Sequence, residues 1–76
     1  MNEEERIWFR VQTLKNTYNK EIKEGSAMEI AIAHKLFNRS VDFLKEYWKA
    51  NNIKKDIVVS YSPTNKRLTI YTNNIV

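Results

Sequence analysis

His34 is the one histidine in the chain and cysteine is absent, so any catalysis must be built from a single imidazole, hydroxyls, carboxylates and amines. Zinc requires three or four His, Cys or carboxylate ligands at short spacing. Near His34 stand only Glu29, off the i, i+4 spacing that sets two ligands side by side, and Asp42, two turns further on. That pattern predicts no metal site. Ser40, His34 and Asp42 supply the residue types of a nucleophile triad, but one helix carries all three at angles that do not converge. With a single glycine, the chain can form neither a phosphate-cradling loop nor a dinucleotide fingerprint, and it holds no nucleophile elbow. The expectation is a protein that is not an enzyme and takes no cofactor. A ribonuclease-like Arg/Lys/Tyr site completed in an oligomer ranks third among the readings.

Binding chemistry is better supplied. Net charge is +4, and most of the excess lies in the last third, where Lys54, Lys55, Lys66 and Arg67 face Asp56 alone. Such a patch favours phosphates or an acidic partner. Tyr61 or Tyr71 stacking on an exposed base, with those four cations on the backbone, defines the nucleic-acid reading. Against it, no helix-turn-helix, RNP-like or finger signature is present. Aromatic residues make up 12% of the chain, more than a small core absorbs, and Trp and Tyr are enriched at interface hot spots. Trp8, Phe9, Val58, Arg67 and Tyr71 are the predicted partner-binding residues. Trp48 is expected to close the core.

These side chains must be positioned by few elements, because 76 residues hold one domain. Ile7, Val11, Leu14, Tyr18 and Ile22 recur at helical spacing, predicting an amphipathic helix over 3–24 with Glu3, Glu4 and Glu5 at its positive end. Trp8 falls on the flank of this stripe, and Phe9 lies well off it. Gly25 stops the helix, and Ser26-Ala27-Met28-Glu29 reads as a capping box opening a second helix over 27–50. The second helix carries two adjoining apolar strips, Ile30/Phe37/Val41/Leu44/Trp48 and Ile32/Leu36/Phe43/Tyr47. Two strips suit a central helix covered by the first helix on one side and a sheet on the other. Asn51-Asn52 ends it.

From Asp56 the residues turn β-branched and aromatic, predicting strands over 56–61 and 67–72. Pairing Ser62 with Arg67 around a four-residue loop sets Ile57, Val59, Tyr61, Leu68 and Ile70 on one face, expected to cover the helices. Val58, Ser60, Arg67, Thr69 and Tyr71 fall on the other. The predicted fold is α+β: an antiparallel two-helix hairpin followed by a two-stranded antiparallel β-hairpin, in the order ααββ.

A domain this small buries only roughly 60% of its unfolded surface and, without cysteine, has no disulfide to help. A lone two-stranded sheet also has two bare edges. Both arguments predict a homodimer whose hairpins join edge to edge, with strand addition by another protein as the competing use. No apolar run approaches membrane-spanning length and the first residues are acidic, so the expected setting is cytoplasmic, with no membrane partner. The function expected from the sequence is non-catalytic protein binding by a small inhibitor or adaptor, of the kind phages and mobile elements encode. Nucleic-acid binding through the basic hairpin is the alternative.

Overall fold

A computed structural model of the chain describes residues 2–75. The elements run α1 (Glu3–Glu24), α2 (Ala27–Ala50), β1 (Lys55–Ser62) and β2 (Arg67–Asn74), which is the ααββ order read from the sequence. Local chemistry sets each boundary. The Asn2 side chain accepts from the Glu5 backbone N–H at 2.8 Å and caps α1, whose first turn is acidic. At its other end Gly25 is extended, with φ −87° and ψ 164°. Glycine is needed there for close approach: Gly25 N–H donates to the Glu21 carbonyl at 2.7 Å, and a Cβ would sit 2.9 Å from that oxygen.

Both halves of the capping box form. Glu29 N–H donates to Ser26 Oγ at 3.3 Å, and Ser26 N–H donates to the Glu29 carboxylate at 3.2 Å. α2 stops through Asn52, which adopts the left-handed region at φ 56°. Ile53 N–H then reaches the Trp48 carbonyl at 2.8 Å and Asn52 N–H the Lys49 carbonyl at 3.3 Å, the paired bonds of a Schellman motif.

β1 and β2 pair antiparallel in the predicted register, Tyr61 opposite Leu68 and Val59 opposite Ile70. Both strands run further than apolar alternation indicates. Lys55 pairs with Asn74 and Asp56 with Asn73, because a ladder bonds through backbone groups and continues where strand-favouring side chains have ended.

One cluster joins all four elements: Ile7 and Val11 from α1, Phe37, Val41, Leu44 and Trp48 from α2, Ile57 from β1 and Leu68 from β2. Trp48 is buried, as expected. Two expectations of cover fail. On α2 the Phe37/Val41/Leu44/Trp48 strip is buried, whereas Ile32, Leu36 and Phe43 are 54%, 42% and 60% exposed. Lys45 pairs with Asp56 of β1 at 3.8 Å, so the sheet lies on the Lys45 side of α2, roughly half a turn round from Leu36. On the sheet, Val59 and Tyr61 occupy the inward face but remain 45% and 47% exposed. The strong twist of a two-stranded ribbon accounts for this: β2 stays seated on α1 at Leu68, while β1 is buried only at Ile57.

Candidate protein-binding surfaces

The residues whose types suit catalysis stay apart. His34 is exposed, its ring centroid 5.5 Å from that of Tyr18, and it pairs with the Asn38 amide at 3.4 Å. Ser40 is buried beneath the groove between the helices, and its hydroxyl has no hydrogen-bond partner among the described residues. Asp42 is exposed. Neither a triad nor a cluster of three or more metal-binding side chains forms among the described residues. No helix among them is long and apolar enough to cross a membrane.

The two edges of the hairpin differ. Asn19, from the last two turns of α1, donates its amide to the Leu68 carbonyl at 2.9 Å and accepts from the Leu68 N–H at 2.7 Å. Its side chain stands in for a neighbouring strand and closes the β2 edge at that point. The pair also fixes the phase of the ladder. Because Leu68 turns both backbone groups away from β1, Tyr61–Leu68, Val59–Ile70 and Ile57–Thr72 are the non-hydrogen-bonded pairs. On β1 the outward groups therefore belong to Ile57, Val59 and Tyr61. Asp56 Oδ1 accepts from the Ile57 N–H at 2.8 Å. Val59 and Tyr61 have no backbone partner on that side among the described residues, and their side chains are exposed too.

The remaining predicted binding residues scatter. Phe9 and Tyr71 are 64% and 57% exposed, as their positions off the apolar faces require. Val58 is only half-buried on the outer face, and Arg67 is exposed where the turn enters β2. Trp8, like Val58, is half-buried. It packs against the core and, with Trp48, Lys55 and Thr72, lines a small depression of about 230 Å³.

The nucleic-acid set divides in the same way. Lys54 and Lys55 stand at one end of the ribbon and Lys66 and Arg67 at the other, roughly 23 Å away along an eight-residue strand. Lys55 is already paired with Glu4 at 3.1 Å. Tyr61 and Tyr71 project from opposite faces, because alternate residues of a strand point opposite ways and their register partners, Leu68 and Val58, do likewise. No single face presents both aromatic residues with all four cations.

A second surface was not singled out from the sequence as a site. Between α1 and α2, on the side away from the sheet, lies an open groove of about 700 Å³ lined by Arg6, Arg10, Leu14, Leu36, Arg39 and Phe43, among others. None of the three arginines has a carboxylate within ion-pair distance among the described residues. The visible signal was the second apolar strip of α2. Comparison with protein-family models, curated proteins and solved structures finds no match to this chain.

Proposed function

We propose that the protein is a non-catalytic binding module that acts stoichiometrically on a protein partner, as a small inhibitor or adaptor, and receives an extended segment of that partner along β1. The supporting observation is the coincidence at Val59 and Tyr61 of unpaired outward backbone groups with side chains 45% and 47% exposed. Strand addition draws affinity from main-chain hydrogen bonds and specificity from alternate side chains. β1 supplies both within three residues. Lys66 and Arg67 at the turn favour an acidic end on the incoming segment.

The test is cross-linking in the cells that carry the protein, from a photoreactive residue placed at Tyr71 and read with and without Val59→Pro. Proline at an outward-facing edge position removes the donor needed by an added strand and leaves the β1–β2 ladder intact. The expected result is a one-to-one protein adduct that Val59→Pro and Tyr61→Ala each abolish while circular dichroism stays native. An adduct indifferent to both changes overturns the strand-addition reading. Retention of oligonucleotides that falls steeply with salt, and is lost when Lys54, Lys55, Lys66 and Arg67 become Glu, transfers the function to nucleic-acid binding.

A further inference from the structure

The groove face of the helical hairpin is patterned differently from the β1 edge. On α2, Glu29, Ile32, Leu36, Arg39 and Phe43 follow at spacings of three and four residues and form one stripe. On α1 the neighbouring stripe passes from Arg10 through Leu14 to Glu24. Because the helices are antiparallel and joined at Gly25, Arg10 and Arg39 gather toward the open end of the hairpin, and Glu24 and Glu29 gather at the loop. Exposed Ile32 and Leu36 lie between the two charges.

We infer that this face binds a second copy of the chain, with the two α2 helices antiparallel about a two-fold axis between Ile32 and Leu36. Such an axis exchanges positions that are equally distant from its centre. Glu29 then meets the partner's Arg39, Ile32 meets the partner's Leu36, and both contacts occur twice. The order of charges along the stripe makes it its own complement. A uniformly acidic helix from another protein would meet the arginines well and the glutamates badly, which is why a second copy fits better. Ser40 adds to the match: its buried, unpartnered hydroxyl lines the same groove as Arg10 and Arg39.

The amount of uncovered surface agrees. The chain exposes 5745 Å². A self-contained monomer of 9.1 kDa exposes about 4,900 Å², so the surplus of roughly 850 Å² is close to the ~800 Å² each partner buries in a standard interface. This pairing is independent of the β1 edge, and either can fail alone.

Sedimentation equilibrium on the full chain, over a wide concentration range and at low and high salt, tests it. The expected species is a dimer that weakens as salt screens the Glu29–Arg39 contacts. Leu36→Glu should raise its dissociation constant about tenfold or more, since it removes both Ile32–Leu36 contacts beside the axis and sets a carboxylate against apolar Ile32 twice. Leu36 is already 42% exposed, so the fold should survive the change, which circular dichroism checks. Register is read separately. As the chain lacks cysteine, mixed Ile32→Cys and Leu36→Cys chains should form a disulfide far faster than a pair of Thr69→Cys chains. A monomer at all concentrations overturns the inference. So does a dimer that tolerates Leu36→Glu but is lost with Val59→Pro, because that change removes an outward-facing donor of the β1 edge and addresses strand pairing instead.

Discussion

Asn19 carries more of the tertiary structure than any other polar side chain on α1, since its two hydrogen bonds to Leu68 span 49 residues of sequence and hold β2 against the helix. Replacing it by Ala leaves a partly buried N–H and C=O unsatisfied, which costs about 1–3 kcal/mol. Chemical denaturation of Asn19→Ala should show that loss, together with faster amide exchange at Leu68. Nothing in the sequence marks Asn19, because a helix-borne amide that mimics a strand has no local pattern and its partner is distant. Left-handed positions were only partly legible. Asn51-Asn52 read as a helix stop, and Asn52 at φ 56° tolerates that region better than most residues. Lys66 at φ 50° does not, and at such a position an L side chain costs roughly 1–2 kcal/mol. Lys66→Gly is therefore expected to stabilise the hairpin, by less than that cost because glycine also loosens the unfolded chain, and the thermal midpoint should rise.

At the scale of elements, helix ends were legible because their caps are local, and the start of α2 also titrates. Glu29 lies below the ordinary carboxylate range, chiefly through its hydrogen bond from the Ser26 backbone N–H and then through the Ser26 side chain. A carboxylate with a lower pKa folded than unfolded adds stability that is complete above the unfolded value and is lost as pH falls through the folded one. Glu29→Gln keeps the capping geometry without the charge. The difference in melting temperature between the two proteins should favour the native chain at neutral pH and shrink on acidification; a difference constant with pH would contradict the assignment. Strand register was legible from alternation, since a one-residue slip would have split Ile57 from Leu68. Cover was not legible. Periodicity shows that Ile32, Leu36 and Phe43 share a face of α2, but whether the sheet lies on that face depends on how the chain leaves Asn52. That path brings Asp56 to the Lys45 side.

Size and shape act together on the whole molecule. Length alone indicates a small core, but elongation comes from laying two long helices and a ribbon side by side, and only the fold reveals it. The radius of gyration is 13.2 Å, where a compact chain of this length has about 11.4 Å. The same elongation leaves one face of the helical pair uncovered, and the surplus over the monomer expectation is of the size that an interface would remove. Within one chain the core still couples both hairpins, since Leu68 and Ile57 join the cluster of Val11, Leu44 and Trp48. Leu68→Ala should cost about 2–5 kcal/mol and release the ribbon, because an isolated two-stranded hairpin is marginal in water. A second copy on the groove face adds a mass-action contribution to this balance. Above its dissociation constant, each tenfold rise in protein concentration stabilises the dimer against unfolding by about 1.4 kcal/mol per mole of dimer. The thermal midpoint should then climb steadily with concentration, and Leu36→Glu should flatten that climb while Asn19→Ala merely shifts it downward. That contrast separates a defect at the interface between copies from a defect within one copy, and the two variants lie on opposite sides of the same helical pair.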